Sequence, residues 1–377
     1  MQNRLFGKTN RRLSVLSLGT MRFASVADAQ AVIGKAIARG INHIETAPAY
    51  GQSEHYISQA LSALFAEGAI QREQLTITSK LTPTVEKGDI ESAITQSIER
   101  LGIEYLDCLA IHGINTPKHL EWAQGEMLGA LELCKEKGLI CHVGFSTHGP
   151  LDVISSAIAT QAFSFINLHY NFFFQRNKRT IAQAHQQNMG IFIISPADKA
   201  GLLYTPPEKL KAICTPFDPL LLNYRWLLSD PRITTLSIGP AIPEELDWPL
   251  QVAESDGPLN DEERDAIARL KTTQTDALES DLCSQCHQCL PCPETINIPE
   301  VLRLRNLAIA YDMEAYGQYR YGMFENAGHW FPGKKGNRCT DCGDCLPRCP
   351  EKLDIPTLLR DTHMRLKGKA RRRLWED

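Results

Sequence analysis

Eight of the twelve cysteines in this 377-residue chain lie in its last hundred residues, in two closely spaced runs. The first run reads CSQCHQCLPCP from Cys283, and the second reads CTDCGDCLPRCP from Cys339. Four thiolates in so short a loop are soft ligands, which suit zinc or iron better than the ions that prefer oxygen. Zinc takes four ligands in a closed tetrahedron, and its sites are usually built from paired C-x2-C elements. Each run has two cysteines more than such a pair, a third one and a fourth followed by proline. The spacing therefore favours iron–sulfur centres, with zinc as the alternative.

The second run has the spacing C-x2-C-x2-C-x3-C-P, and it resembles the cysteine run of bacterial ferredoxins. In that pattern three thiolates bind one 4Fe-4S cluster and the fourth reaches a second cluster. The resemblance implies two crossed ligand sets: Cys283, Cys286, Cys289 and Cys349 for one cluster, and Cys339, Cys342, Cys345 and Cys292 for the other. An Ile-Pro dipeptide follows each run and predicts the start of a helix. We therefore expect a small, mainly α-helical ferredoxin-like domain over residues 281–377.

Upstream of the cysteines, short β-rich runs alternate with amphipathic stretches eight times between Ser14 and Ala253. The first pair is SVLSLG before a helix at 27–39, and the last is ITTLSIG before a helix at 244–253. This number of units predicts an α/β fold of the (β/α)8 TIM barrel type over residues 1–258. An open, doubly wound sheet is the rival fold, and the absence of a Gly-x-Gly-x-x-Gly turn after any early strand disfavours it. We expect a helix and a polar linker over residues 259–280.

The carboxyl ends of barrel strands are where chemistry is expected, and four reactive side chains follow three neighbouring predicted strands. Glu45 and Tyr50 follow the second strand, Lys80 ends the third and His112 ends the fourth. A tyrosine is a poor acid at neutral pH, with a pKa of about 10, but a nearby ammonium stabilises phenolate and lowers that pKa. The set predicts proton donation to a carbonyl oxygen, with the imidazole orienting the carbonyl. The hydride must come from a cofactor, because no side chain supplies one.

The order of these motifs resembles the aldo-keto reductases: IETAPAYGQSE at 44–54, Lys80, His112, GFSTH at 144–148 and NYRWLL at 223–228. The resemblance implies reduction of an aldehyde or ketone by NADPH or NADH, with Tyr50 as proton donor and Glu45 paired with Lys80. It also implies cofactor contacts from six residues. Ser146 and Asn167 would contact the nicotinamide carboxamide, Ser195, Gly201 and Leu202 would line the pyrophosphate loop, and Gly239 would lie near the adenosine phosphate.

Three features of the chain depart from the family pattern. Glu45 stands where the family has aspartate, and Ile194 stands where an aromatic ring usually stacks on the nicotinamide. No basic residue is present at Ala241 and Ile242 to bind the 2′-phosphate of NADP, so the choice between NADP and NAD stays open.

Two hypotheses of function follow, because a hydride carries two electrons whereas a cluster carries one. In the first, the protein is a carbonyl reductase whose clusters are structural, sense redox state or exchange electrons with a partner. In the second, it is an electron-transfer module that docks redox partners, and its barrel is catalytically weak or inactive.

Composition sets expectations for partners and location. The net charge is only −4, no long apolar run occurs and no leader peptide is evident, so we expect a cytoplasmic protein that binds neither nucleic acid nor membrane. Six basic residues lie between Arg365 and Arg373. This tail is either a solvated charge run or a means of attracting an acidic electron carrier such as a ferredoxin.

Overall fold

The computed structural model describes residues 1–255 and 257–368. They form two units: the first comprises Met1–Ala200 and Asn223–Leu259, and the second comprises Gly201–Leu222 and the chain from Asn260 onward. The predicted limits assigned Gly201–Leu222 to the barrel, whereas these residues belong to the second unit. The part of the predicted basic tail beyond residue 368, which includes Arg371, Arg372 and Arg373, lies outside the described residues.

The strands of the described residues all belong to the first unit. They are β1 (Asn3–Leu5), β2 (Arg12–Ser14), β3 (Leu16–Gly19), β4 (His43–Glu45), β5 (Thr76–Leu81), β6 (Leu106–Ile111), β7 (Ile140–Ser146), β8 (Phe165–Leu168), β9 (Gly190–Ile193) and β10 (Thr235–Ile238). Strands β3 to β10 are parallel and close into a barrel in the order β10, β3, β4, β5, β6, β7, β8, β9. The predicted TIM barrel is confirmed.

The helices that follow the barrel strands agree with the predicted alternation. They are α1 (Val26–Ala38), α2 (Ser53–Ala66), α3 (Ile90–Leu101), α4 (Pro117–Trp122), α5 (Glu126–Glu136), α6 (Leu151–Ala159), α7 (Lys178–Gln186), α8 (Glu208–Cys214), α9 (Pro219–Leu228) and α10 (Asp247–Leu250). The predicted helix at 244–253 is reduced to a 3-10 turn and the single turn of α10.

Large aromatic side chains fill the amino-terminal end of the barrel. The antiparallel hairpin of β1 and β2 contributes Phe6 and Leu13, which pack against Phe165 and Phe192 of the barrel interior. Gly144 in β7 leaves the space that the Phe165 ring occupies, since a β-carbon there would lie 2.5 Å from that ring. The barrel is therefore a packed core and not a channel.

A buried histidine forms the layer of the core below the carboxyl ends of the strands. His43 Nδ1 lies 2.7 Å from Ser17 Oγ, and His43 Nε2 lies 2.8 Å from Thr78 Oγ1. Burial lowers the pKa of His43 to about 3, so the ring is neutral at physiological pH. Because side chains alternate along a strand, Glu45 and Lys80, each two residues further on, share the inner face of the barrel with His43 and Thr78.

Helices dominate the second unit beyond Asn260. They are α11 (Asp261–Leu278), α12 (Ile298–Tyr311), α13 (Glu314–Tyr321) and α14 (Ile355–Leu366). Both Ile-Pro helix starts are confirmed, and Asn297 and Asp354 cap them by accepting backbone N–H bonds. No helix of the described residues combines the length and the apolar character needed to cross a membrane.

The linker predicted within 259–280 is wrong, because α11 continues to Leu278. The helix begins with a capping box between Asn260 and Glu263, and it buries Leu270 and Leu278. Tyr311 of α12 donates a hydrogen bond to the Leu270 carbonyl at 2.9 Å. The composition of this polar stretch suggested a linker. Packing against α12 keeps it helical.

Candidate active site and cysteine centres

The ammonium of Lys80 is the centre of the candidate active site. Lys80 is the last residue but one of β5, and both it and Glu45 at the end of β4 are buried. Lys80 Nζ lies 3.0 Å from Glu45 Oε1, 2.9 Å from the Tyr50 hydroxyl and 3.0 Å from the carbonyl of Thr46. The ammonium thus has three oxygen partners, which balance the cost of burying its charge.

The loop from β4 to α2 holds Tyr50 in place. Gly51 adopts a left-handed conformation with φ +62°, which turns the chain directly after Tyr50. Ser53 donates a hydrogen bond to Thr20 Oγ1 at 2.7 Å, and the buried carboxylate of Glu54 accepts one from Ser79 at 2.7 Å. The small and polar residues of the motif around Tyr50 are therefore those that anchor the loop.

The pKa of the Tyr50 hydroxyl differs from the sequence-based expectation. Burial raises this pKa, Lys80 lowers it and Glu45 raises it further, so that the net direction is upward. The ammonium acts in the predicted sense, but burial has the larger effect. For Lys80 itself burial lowers the pKa, while Glu45 and Tyr50 together hold it above its ordinary value. The lysine therefore stays charged at neutral pH.

His112, directly after β6, faces Tyr50 edge-on. Their ring centroids are 6.0 Å apart, with planes at 86°. Burial and then the nearby Lys80 lower the pKa of His112 to about 4, so the imidazole is neutral at pH 7. The structure thus brings together all four residues of the predicted catalytic set, with a neutral hydrogen-bonding imidazole beside the phenol.

Glu45 also reaches across the barrel to a predicted cofactor residue. Asn167 Nδ2 on β8 donates to Glu45 Oε1 at 2.9 Å, so one carboxylate oxygen accepts from both Lys80 and Asn167. Asn167 Oδ1 is buried and has no hydrogen-bond partner among the described residues. Ser146 is its neighbour on β7 and accepts the N–H of Gly113 at 3.0 Å. An unpaired buried acceptor suits a ligand that donates hydrogen bonds, such as a carboxamide NH2.

The remaining predicted cofactor residues are divided between the two units. Ser195 lies in the loop after β9 with φ +50°, and the Gly239 carbonyl accepts from Arg22 at 2.9 Å, both in the first unit. Gly201 and Leu202 belong to the second unit, with φ +131° and +55°. The structure therefore brings Ser146 and Asn167 together near Glu45 and Lys80, while Gly201 and Leu202 form part of another unit.

Sequence reasoning missed a basic residue beside Gly239. Arg22 follows β3 and binds Glu245 through two contacts, of 2.6 and 3.1 Å. Glu245 also accepts the N–H of Ala241 at 2.8 Å. The Arg22 guanidinium thus lies near Ala241, where the sequence itself has no basic residue. It comes from the loop after the first barrel strand. No local sequence signal could have revealed it.

The eight clustered cysteines line two separate cavities in the second unit. The first is lined by Cys283, Cys286, Cys289 and Cys349. The second is lined by Cys292, Cys339, Cys342 and Cys345. In each case three cysteines come from one run and the fourth from the other, which is the grouping that the crossed pattern implies.

The two cysteine runs share one backbone conformation. Gln285 and Asp341, which occupy the same place in the two runs, adopt φ +60° and +58°, and His287 and Gly343 adopt +64° and +79°. Left-handed residues between successive cysteines wrap the loop around the cavity and turn backbone N–H groups inward. The first run has one residue fewer than the second between its third and fourth cysteines. The match continues beyond this difference, since Thr295 and Lys352, each three residues after the fourth cysteine, adopt φ +57° and +54°.

The cysteine cavities suit a cluster of several metal ions better than a single ion. Within the described part of the chain, no three His, Cys, Asp or Glu side chains converge closely enough to bind one metal ion. Burial raises the pKa of the Cys289 thiol to about 12, so a thiolate there requires a cation. Four thiols from two runs around each cavity match the ligand number of a 4Fe-4S cluster.

Comparisons with known proteins identify a family for each of two parts of the chain. Residues 15–272 match the model of the Aldo/keto reductase family, and residues 282–353 match the model of a 4Fe-4S dicluster domain. The chain therefore belongs to the aldo/keto reductase family, which is a family of oxidoreductases. It carries in addition a ferredoxin-like region of the iron–sulfur type.

Individual relatives are distant. Aldo-keto reductase family 1 member A1 of Mus musculus is 28% identical over 221 residues, which are 53% of this chain and 66% of that protein. The aldose reductase of Encephalitozoon cuniculi is 36% identical over 102 residues, 27% of this chain and 33% of that protein. The match thus spans between a third and two thirds of the length of these curated relatives. The holo form of an aldo-keto reductase from Bacillus halodurans superposes with a TM-score of 0.61 at 22% sequence identity. The match covers 71% of this chain and 96% of that protein, and it supports the barrel fold alone.

Proposed function

We propose that the barrel reduces an aldehyde or ketone with NADH or NADPH as hydride donor and Tyr50 as proton donor. The observation that supports this most is the contact of Lys80 Nζ with the Tyr50 hydroxyl at 2.9 Å. When Tyr50 gives its proton to the carbonyl oxygen, the ammonium stabilises the phenolate that remains. His112, neutral and edge-on to Tyr50, donates a hydrogen bond to the same oxygen and orients the carbonyl.

The buried end of β8 fits the nicotinamide. Asn167 Oδ1 would accept from the carboxamide NH2, and Ser146 beside it would contact the same group. A bound nicotinamide supplies the hydride, which no side chain can provide. Glu45 holds the amide of Asn167 in the orientation that presents Oδ1, because the same Glu45 oxygen accepts from Asn167 Nδ2 and from Lys80.

The test is turnover by purified, cluster-loaded protein with NADH or NADPH and a panel of simple aldehydes and ketones. We expect the wild-type protein to oxidise the dinucleotide. Tyr50→Phe should lower the rate of this oxidation by roughly 10²- to 10⁴-fold, the usual contribution of a general acid. Tyr56→Phe is the matched control, since the Tyr56 hydroxyl lies outside the site and makes a long 3.5 Å contact with the Ala24 carbonyl. Equal turnover by the wild-type and Tyr50→Phe proteins would exclude Tyr50 as the proton donor.

For the second unit we propose two 4Fe-4S clusters. Cys283, Cys286, Cys289 and Cys349 bind one, and Cys339, Cys342, Cys345 and Cys292 bind the other. Anaerobic analysis should find about eight irons and eight sulfides per chain and little zinc. Cys286→Ser and Cys342→Ser should each lose about half of the iron, whereas Cys141→Ser, which changes an exposed cysteine of the barrel, should lose none.

A second candidate function is electron exchange with a partner protein, and the exposure of Cys286 and Cys342 favours it. One ligand of each proposed cluster thus lies at the surface of the second unit, where a small acidic electron carrier such as a ferredoxin would approach. Reduction of the clusters by a reduced ferredoxin, with no turnover of any carbonyl by cluster-loaded protein that binds dinucleotide, would favour this function over the reductase. We place both functions in the cytoplasm, where the thiols stay reduced.

A further inference from the structure

The two cysteine runs differ in the residue that stands two positions after their first cysteine. In the first run this residue is Gln285, and in the second it is Asp341. Both adopt the same left-handed backbone conformation, with φ +60° and +58°, so their side chains leave the loop in equivalent directions. A neutral amide and a carboxyl group thus occupy the same place in the two runs.

The amide of Gln285 donates to a cysteine sulfur. Gln285 Nε2 lies 2.9 Å from the Pro299 carbonyl and 3.3 Å from Cys283 Sγ. Because a carbonyl can only accept, the atom that faces Pro299 is the NH2 group, and this fixes the orientation of the amide. One proton of the NH2 group serves Pro299, and the other is directed to Cys283. The bond becomes stronger when the sulfur is a metal-bound thiolate, since ionised acceptors form the stronger hydrogen bonds.

The side chain of Asp341 has the opposite relation to its cysteine. Here the thiol of Cys339 is the donor, and Asp341 Oδ1 accepts at 3.8 Å. A thiolate that binds metal has no proton, so this bond is lost when a cluster is bound. Asp341 then presents an acceptor oxygen to the sulfur of Cys339, whereas Gln285 presents a donor to the sulfur of Cys283.

The charged groups of the second run balance one another. Its two carboxylates, Asp341 and Asp344, stand where the first run has glutamines. Arg360 pairs with Asp341 at 2.5 Å, and Arg348, which lines the second cavity, donates to the Asp344 carbonyl at 2.8 Å. Two positive groups therefore offset two negative ones. One glutamate also lines each cavity, Glu351 the first and Glu294 the second. The hydrogen bond from Gln285 to sulfur is the difference that these charges do not cancel.

Hydrogen bonds to the cysteine sulfurs are among the factors that set the reduction potential of an iron–sulfur cluster. A donor stabilises the reduced form, which carries one more negative charge, and so raises the potential. We propose that Gln285 raises the reduction potential of the cluster at the first cavity above that of the cluster at the second. One electron then passes from the second cluster, which is oxidised, to the first, which is reduced, after a low-potential carrier has supplied it. This inference rests on the proposed function, since it requires both 4Fe-4S clusters.

The experiment is a redox titration of the cluster-loaded chain with dithionite, followed by electron paramagnetic resonance. We expect two distinct potentials. Gln285→Met keeps the length of the side chain and removes the donor, so it should lower the higher potential by about 60 mV, a roughly tenfold change in a one-electron equilibrium. Gln288→Met is the matched control, since Gln288 is an exposed glutamine of the same run, and it should leave both potentials unchanged. In a Cys342→Ser background, which retains the first cluster, Gln285→Met should lower the single remaining potential.

Asp341→Gln is the reciprocal variant, and it decides the matter if Gln285→Met does not bind its full complement of iron. It replaces the acceptor beside Cys339 with an amide, so it should raise the lower potential and bring the two potentials closer. Equal potentials in a wild-type chain that binds about eight irons would overturn this proposal and leave the proposed clusters intact. Potentials that neither Gln285→Met nor Asp341→Gln shifts would do the same. A wild-type chain without iron would overturn the proposed clusters and this proposal together.

Discussion

Replacing Glu45 by aspartate tests whether one carboxylate joins the two halves of the candidate site. The change withdraws the carboxylate by one C–C bond, about 1.5 Å. Glu45 Oε1 now lies 3.0 Å from Lys80 Nζ and 2.9 Å from Asn167 Nδ2. Lys80 is on the neighbouring strand and has a long side chain that can follow the carboxylate. Asn167 is short and stands on β8, on the opposite side of the barrel, so its distance to the carboxylate should exceed the hydrogen-bonding limit.

We therefore expect Glu45→Asp to retain the ion pair with Lys80 and to lose the bond to Asn167. A hydrogen bond to a charged group contributes about 1.5 to 3 kcal/mol, so the loss of the orientation that this bond gives Asn167 should weaken dinucleotide binding by up to roughly 10- to 100-fold. The loss should appear in the dissociation constant of the dinucleotide, measured by fluorescence, more than in kcat. Glu91→Asp is the matched control, because it shortens an exposed carboxylate paired with Lys137.

A double-mutant cycle identifies the route of this effect. If Glu45 acts through Asn167, Glu45→Asp should have little further effect on dinucleotide affinity once Asn167 is alanine. Unchanged affinity in the single Glu45→Asp variant, or the same loss with and without Asn167, would refute the role assigned to the Glu45–Asn167 bond.

Three further predictions concern charge, pH and packing. Lys80→Met should lower kcat by at least about 10²-fold, because the phenolate of Tyr50 loses its counter-ion, and the alkaline limb of the pH–rate profile should move upward; an unchanged profile would contradict this. The pKa of His43 is about 3 in the folded state and about 6.5 in the unfolded state. Between these two values the unfolded state binds the extra proton, so the free energy of unfolding falls as the pH drops from about 6.5 to 3. His43→Gln should therefore unfold at lower pH than the wild type in an acid titration followed by circular dichroism, and an equal midpoint would contradict it. Gly144→Ala should lower the free energy of unfolding by about 1 to 3 kcal/mol and with it the thermal midpoint, since the added β-carbon meets the ring of Phe165. In the control, Gly88→Ala, the added β-carbon meets no atom within 4 Å, so the thermal midpoint should stay unchanged.

Regular spacing made the fold predictable, and the resemblance of the cysteine runs to those of ferredoxins implied the grouping in which the cysteines line the two cavities. The alternation of apolar runs and amphipathic stretches predicted the barrel, because each strand and helix must bury one side of a locally repeating pattern. The positions of Tyr50, Lys80 and His112 at the carboxyl ends of strands likewise follow from the register of those runs. The cysteine spacing carries similar information, since short loops of this kind can present three sulfurs to one cavity and only the fourth must come from elsewhere.

Other features arose only from residues that are distant in sequence. The linker predicted after the barrel is the end of α11, because Leu270 and Leu278 are buried by packing that the local polar composition does not reveal. The net rise in the pKa of Tyr50 depends on how deeply the folded barrel buries the phenol, which outweighs the lysine beside it.

The amino-acid sequence by itself determined which elements form and which reactive groups stand at their ends, since these depend on periodicity and on the chemistry of single residues. Only the tertiary structure decided which groups share a hydrogen bond. The contact of Glu45 with Asn167 joins residues 122 positions apart. The contact of Arg22 with Glu245 joins residues 223 positions apart. The physical reason is that closing the barrel places β8 opposite β4 and pairs the last strand, β10, with the first barrel strand, β3. Local spacing does not encode either arrangement.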